Sequence, residues 1–394
     1  MKINLAMVEA AVAGCTSFVR REFVTPYGRE WVSYDYSYAY PALFEEHPAR
    51  LECRGIVFDK DTGQVVCRPY HKFFNAGEIP GTGLDKLGLD RPHYILEKLD
   101  GSMIRPMWVH EGEVHFGTRA GVTEVSEQAT EYARTRPQYH QLCEDLMNIG
   151  HTPIFEWCSL QNRVVIAHPV DRLVLTGIRD NLTGLYQPYT TMRAIANDYG
   201  VECVRAFDLN TSDREAFAAY VADLLDMEGF VIRFEDGEHP VMVKVKADDY
   251  VRRHKTLGIL RSERAMFETL LDGLLDDAKS RLNENDLPAV NTFEAEFYEI
   301  LNCRSAHALE LLTKARESGC TRKEFATEIV GKRGDRGVLF NLFTREYLTM
   351  EEVADEFMAV LSKEGTKNDP DKIRRILMAD VSWNPGRKIS TGDE

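Results

Sequence analysis

The chain has 394 residues, 44% of them hydrophobic and 28% charged, with a formal net charge of -15. That length is too great for one ordinary core and points to two domains of a soluble globular protein. No apolar run approaches the ~20 residues of a membrane helix, so no membrane partner is expected. Eight cysteines lie far apart without a Cys-x-x-Cys pair, so a disulfide frame and a zinc site are both disfavoured. Free thiols indicate a reducing compartment, by default the cytoplasm. An acidic balance argues against a nucleic-acid partner unless the cations are segregated. Arg252, Arg253, His254, Lys255, Arg261 and Arg264 form one basic cluster, and Lys332, Arg333 and Arg336 a second. Asp272, Asp276, Asp277, Glu284 and Asp286 are acidic. This reads as a local basic footprint on an acidic body, with a solvated mixed-charge surface as the alternative.

In chain order, Glu9 interrupts the apolar stretch before Cys15, which predicts an amphipathic helix rather than a signal peptide. Residues 17–24 and 30–38 are extended and aromatic-rich around Pro26-Tyr27-Gly28. Trp31, Tyr34, Tyr36 and Tyr38 read as core rings, with base stacking as the alternative. Cys53-Arg54-Gly55-Ile56-Val57-Phe58-Asp59 and Arg68-Pro69-Tyr70-His71-Lys72-Phe73-Phe74-Asn75 predict two strands across an Asp61-Thr62-Gly63 turn. Each carries a cation near one end, Arg54 and Lys72. Residues 81–92 are a Gly/Pro/Asp-rich loop.

Tyr94-Ile95-Leu96 then leads a strand into Glu97-Lys98-Leu99-Asp100-Gly101-Ser102. A lysine is delivered into a tight turn, with Gly101 supplying backbone freedom. Residues 104–109 and 113–116 predict a hairpin ending in Gly117-Thr118-Arg119-Ala120-Gly121, and 124–149 are helical. Ile154-Phe155-Glu156-Trp157-Cys158 is a strand with a carboxylate among apolar residues, which requires a partner such as Arg163. Residues 163–166 and 173–175 continue the sheet, and helices follow near 190–199 and 213–226. Glu228-Gly229-Phe230-Val231-Ile232-Arg233 and Met242-Val243-Lys244-Val245-Lys246 pair across Asp236-Gly237. Lys244 and Lys246, two apart on a strand, share a face and repel one another without an anion. A polyphosphate is the natural one. From about residue 250 helical periodicity takes over, at 262–281, 291–317, 321–331, 336–345, 349–363 and near 370–379. The domains are placed at 1–250 and 251–394, with the boundary within 247–255.

The lysine turn, Phe155-Glu156-Trp157, Glu228-Gly229-Phe230-Val231 and Val243-Lys244-Val245-Lys246 occur in one order. Together they resemble the motif series of the covalent nucleotidyltransferases, the superfamily of ATP-dependent ligases and capping enzymes. Arg54-Gly55-Ile56 followed by Lys72-Phe73-Phe74-Asn75, upstream of the turn, resembles the RNA ligases of the T-even bacteriophages. The resemblance spans nearly the whole chain, is specific over the first 250 residues, and is weak after them. It implies an α+β fold: an ATP-grasp-like ligase domain with antiparallel sheets, then a smaller all-α domain that selects the RNA.

Carried over motif by motif, Lys98 is the adenylylated nucleophile, and Arg54 and Lys72 hold the outer phosphates of ATP. Glu156 binds ribose, Glu228 the catalytic metal, and Lys244 and Lys246 the α-phosphate and leaving group. Glu97 and Arg119 join the ATP contacts, although the phage pattern has lysines where this chain has Thr118 and Arg119. The implied cofactors are ATP and Mg2+, with Mn2+ as a substitute. The implied partner is RNA with 5′-phosphate and 3′-hydroxyl ends, nicked tRNA included, joined by a monomer in the cytoplasm, a host's if phage-encoded. An unperturbed lysine with pKa ~10.4 is neutral in only about one molecule in a thousand near pH 7. Lys244, Lys246 and a metal are therefore expected to lower the pKa of Lys98, opposed by Asp100 if it lies close. Alternatives are a DNA ligase or capping guanylyltransferase of the same superfamily, and a non-catalytic RNA-binding protein on a ligase scaffold.

Overall fold

The computed structural model describes residues 2–384 apart from 38, 238, 239, 281, 283–285 and 346. Tyr38 and Glu284, named above, lie outside the described residues. The chain divides into two units between Val251 and Arg252.

Among the described residues, twelve strands build the first unit. They are β1 (Phe18–Val24), β2 (Glu30–Tyr36), β3 (Ile56–Asp59), β4 (Val65–Cys67), β5 (His93–Lys98) and β6 (Ser102–His110), then β7 (Glu113–Gly117), β8 (His151–Cys158), β9 (Arg172–Asp180), β10 (Ala206–Phe207), β11 (Gly229–Phe234) and β12 (Val241–Lys246). They form three four-stranded sheets ordered β1-β2-β3-β4, β10-β5-β11-β12 and β7-β6-β8-β9. Every named strand pair is antiparallel. Helix Leu5–Val12, capped by the Asn4 side chain, lays Leu5, Val8 and Ala11 on Val32, Ile56 and Phe58 of the first sheet. Phe23, Trp31 and Trp108 pack against one another with centroids 6.0–6.4 Å apart, so these rings build core. One core cluster sets Ala129, Leu142 and Met192, from three helices, on Phe155, Trp157 and Leu175 of the third sheet. All eight cysteines are free thiols.

In the first unit the structure departs from the sequence reading in several places, four of them with a clear local cause. The helical stretch 124–149 is two helices, Glu124–Arg134 and Pro137–Asn148, because Pro137 suits a first turn and not a helix interior. Residues 68–75 are not a ladder strand. The strand ends at Cys67, and the chain continues irregularly to one parallel bridge, Asn75 to Lys244. Residues 163–166 form a loop, since the Val165 and Ile166 amides donate to the Asp100 carboxylate rather than to a neighbouring strand. Strand β10 was missed, its two residues being too short to show alternation.

In the second unit every element among the described residues is helical: the remainder of Asp248–Leu260, then Glu263–Leu271, Leu275–Lys279, Leu287–Glu317, Arg322–Glu324 with a π-helical continuation Phe325–Val330, Arg336–Leu342, Met350–Leu361 and Pro370–Leu377. Phe267, Phe297, Phe325, Leu339 and Phe357 are fully buried in it. The 262–281 stretch is broken at Gly273, whose φ of +71° ends the first helix in the left-handed region. The second basic cluster is not a uniform surface. Asp335 is 0% exposed and is clamped by Arg333 at 2.7 Å and Arg304 at 3.0 Å, so Arg333 neutralises a buried carboxylate.

Candidate active site

The site begins with strand register. Lys98 lies opposite Gly229, and Gly229 opposite Lys246; one step inward, Leu96, Val231 and Lys244 form the next row. Residues paired directly across antiparallel strands share a face, so Lys98, Lys244 and Lys246 project from the same side. Gly229 has φ +136°, and a Cβ there would stand 2.0 Å from the Val245 carbonyl oxygen. Only glycine fits. The buried Glu228 just before it directs one carboxylate oxygen to Lys98 at 2.7 Å and the other to Lys246 at 3.0 Å.

This arrangement reverses the charge state expected of Lys98. Burial pushes the Lys98 ammonium down, but attraction to Glu228, reinforced by Glu156, outweighs it and raises the pKa. The nearest charge is a carboxylate, so the neighbouring lysines do not decide the outcome. The depressed lysine is Lys244, through burial first and then the charges of Arg54, Lys98, Lys72 and Lys246. Its Nζ sits 4.7 Å from the centroid of the Phe73 ring.

Asp100 does not pair with Lys98. Its carboxylate accepts from the Val165 and Ile166 amides at 2.8 and 2.5 Å and from the Tyr250 hydroxyl at 2.7 Å. Asn162 Nδ2 donates to Ser102 Oγ at 2.9 Å. The Asp-Gly-Ser half of the lysine turn therefore anchors the 159–171 loop beside the lysine. Gly101 is not in the left-handed region; glycine is needed because a Cβ would lie 2.3 Å from the Trp157 carbonyl oxygen.

The upstream cations arrive on irregular segments. The Lys244 amide donates to the Phe74 carbonyl at 3.0 Å, and the Ala76 amide to the Lys244 carbonyl at 2.7 Å, so the Lys72-to-Asn75 run lies along β12. Lys72 is 3.8 Å from Glu78 and 5.0 Å from the Phe74 ring centroid. Arg54 Nη1 reaches Met103 Sδ at 3.2 Å, and Met103 is the register partner of Glu156. Gly55, with φ +85°, lets the Arg119 backbone approach: a Cβ would stand 2.8 Å from Arg119 Cα. Arg119 thus comes beside Arg54, with its guanidinium 3.5 Å from Asp35 and 4.9 Å from the Tyr36 ring centroid.

Burial raises the Glu156 carboxyl to about 7, against the pull of Lys98. The main charges acting on that carboxyl are Lys98 and Arg54, which lower it, and Glu228 and Asp100, which raise it; Arg163, the partner expected from sequence, is not among them. Glu97 alternates to the other face of β5 and pairs with Arg205 at 3.6 Å, outside the lysine row. Sequence reading missed Phe73 as a lysine platform and Tyr250 as an anchor for Asp100. It also missed Glu52, Arg68 and Arg179 behind the upstream cations. A buried charged residue looks like a surface one until its partners are known.

Among the described residues no group of three or more His, Cys, Asp or Glu side chains could hold a metal ion. Glu228 is a single carboxylate with both oxygens on lysines. That donor set would suit a divalent ion only with further oxygens from a bound ligand, not an all-protein cage.

The chain belongs to the RNA ligase family: a model of that family, described as RNA ligase, matches residues 52–251. The match takes in Arg54, Lys72, Lys98, Glu156, Glu228, Lys244 and Lys246. The chain is 30% identical over 307 residues to a provisionally assigned RNA ligase of Thermovibrio ammonificans, covering 76% of this chain and 75% of that one. Over 96 residues, 23% of either chain, it is 41% identical to RNA ligase 1 of bacteriophage TS2126. Among solved structures it is similar to an archaeal ATP-dependent RNA ligase, with a TM-score of 0.44 and 16% identity, covering 65% of this chain and 64% of that one.

Proposed function

We propose that this chain is an ATP-dependent ligase that joins RNA 5′-phosphate and 3′-hydroxyl ends through lysine–AMP and RNA-adenylate intermediates. The observation that carries the reading is the lysine row of Lys98, Lys246 and Lys244 across three strands, with Glu228 between the first two. Neutral Lys98 attacks the α-phosphorus of ATP, forming an N–P bond as the bond to pyrophosphate breaks. Lys244 and Lys246 face that phosphorus and stabilise the developing charge. Arg54 and Lys72 hold the leaving pyrophosphate. Glu156 accepts from the ribose hydroxyls, and Arg119 supports the phosphate end from beside Arg54. Glu97 contributes no side chain to this set. A divalent metal, Mg2+ or Mn2+, held by Glu228 and the phosphates, would neutralise phosphate charge. The RNA 5′-phosphate then takes AMP from the lysine, and the RNA 3′-hydroxyl displaces AMP to close the phosphodiester.

The helical second unit is assigned to RNA choice, with nicked tRNA as the favoured class. Free cysteines suit a reducing compartment, the cytoplasm. The test is incubation of 5′-phosphorylated single-stranded RNA with protein, Mg2+ and ATP. Ligated and adenylylated RNA are the expected products. Products from DNA alone, or activity with GTP alone, would move the protein to the DNA-ligase or capping branch. RNA binding without either product would leave a non-catalytic scaffold.

A further inference from the structure

Arg54 and Lys72 lie on segments with almost no ladder hydrogen bonding, yet phosphate gripping requires them at a fixed spacing. Behind them is a buried ionic network. Glu52, Arg68 and Arg179 are 8%, 1% and 3% exposed. The Glu52 carboxylate accepts four hydrogen bonds. Oε1 receives Arg68 Nη2 at 2.8 Å and Arg179 Nη2 at 2.7 Å; Oε2 receives Arg68 Nε at 3.3 Å and Arg179 Nη1 at 2.8 Å.

Other guanidinium donors go to carbonyls. Arg179 donates to Pro69 at 2.7 Å and Gly184 at 3.0 Å, and Arg68 to Asn181 at 3.2 Å. Gly184 is held to glycine by this packing, because a Cβ would stand 2.5 Å from the Arg68 guanidinium.

Three stretches are joined in this way: the short helix Pro48–Glu52, the Arg68-to-Lys72 run, and the end of β9. Two main-chain bonds carry the network forward to the cations. The Arg54 amide donates to the Glu52 carbonyl at 2.7 Å, and the Lys72 amide to the Leu51 carbonyl at 2.7 Å. Burying three charged side chains costs desolvation energy that a well-packed apolar core would avoid. A network of this kind gives directional, bidentate contacts that apolar packing cannot give.

We propose that Glu52, Arg68 and Arg179 are positioning residues that set the spacing of Arg54 and Lys72 for the outer phosphates of the nucleotide. The proposal deepens the ATP-dependent reading and rests on it. None of the three touches the nucleotide; they act through the two cations.

The test measures the rate of lysine–AMP formation against ATP concentration for the full chain. Variants are Glu52→Gln, Arg179→Lys, Arg54→Ala and the double variants, each with its melting temperature. Glu52→Gln keeps shape and loses charge; Arg179→Lys keeps charge and loses the bidentate fork. The expected result is a rise of about tenfold in KM for ATP with a smaller change in kcat. In the Arg54→Ala background the same change should add little, since the group being positioned is gone. Glu52→Asp should restore part of the affinity. Full multiplicative additivity with Arg54→Ala, or a lowered melting temperature with unchanged KM, would overturn the positioning role. If Glu52→Gln does not fold, Arg179→Lys supplies the same cycle. Absence of lysine–AMP in the wild-type protein would instead remove the nucleotidyl-transfer reading itself.

Discussion

Glu228 Oε2 lies 2.7 Å from Lys98 Nζ, and its other oxygen lies 3.0 Å from Lys246. The lysine proposed as the nucleophile is held as an ammonium by the carboxylate proposed for the metal. Drawing Glu228 toward a metal, or Lys246 toward a phosphate, would release that hold. The free protein therefore stores Lys98 in its unreactive form, and nucleotide and metal together would free it.

One consequence is a lysine that titrates high. In the free protein Lys98 should titrate above the ordinary ~10.4, because Glu228 stabilises the ammonium more than burial destabilises it. NMR of ε-13C-labelled lysine would show this directly. Glu228→Gln removes the attraction and leaves the burial, so the Lys98 titration should move downward. A wild-type Lys98 that already titrates below the ordinary value would contradict the clamp.

Lys244 and Lys246 differ in what they do for the fold. Lys244 is crowded by cations and depressed, whereas Lys246 is ion-paired. Replacing either with Ala should slow adenylylation by about tenfold or more, on the order of 1.4 kcal/mol of barrier. Lys244→Ala should leave the melting temperature unchanged or raise it, since like charges are relieved. Large destabilisation with normal adenylylation would show that the pair serves the fold.

The lysine row was legible in sequence because strand alternation is local: Lys244 and Lys246 had to share a face. The charge state of Lys98 was not legible. It depends on Glu228, 130 positions away in sequence, and on a backbone at Gly229 that no pattern announces. Whether Asp100 opposes a lowered Lys98 was left open by sequence: its hydrogen bonds go to Val165, Ile166 and Tyr250, yet its charge adds to the upward pull on Lys98. Likewise Arg333 was counted with its charged neighbours until the structure placed Asp335 beneath it. Most of the longer helices and strands were recovered from periodicity, whereas 68–75 and 163–166 are not strands and β10 was missed. Their ends shifted wherever one proline, glycine or side-chain hydrogen bond intervened.

Glu52 should give the protein a specific acid sensitivity. Burial raises its carboxyl, but Arg179 and Arg68 outweigh this and bring it from 4.5 to about 2. A lowered folded-state pKa contributes stability above the unfolded value, lost as pH falls toward the folded one. At ~1.4 kcal/mol per unit this is on the order of 3 kcal/mol, lost between about pH 4.5 and 2. Urea titrations across that window should show a steeper loss for wild type than for Glu52→Gln. Parallel pH profiles would contradict the assignment.

The residues assigned to the first chemical step all precede Val251. A chain ending at Leu260, which keeps helix Asp248–Leu260 whole, should still form lysine–AMP and join short single-stranded RNA. It should lose any preference for nicked tRNA over that RNA. Equal preference in full-length and shortened proteins would leave the second unit a stabilising role only.

The most direct measurement is the intact mass of the protein after incubation with ATP and a divalent metal, followed by peptide mapping. The account predicts a gain of one AMP, located on Lys98 and absent from Lys98→Ala. An AMP adduct that persists in Lys98→Ala, or maps to Lys244 or Lys246, would contradict it.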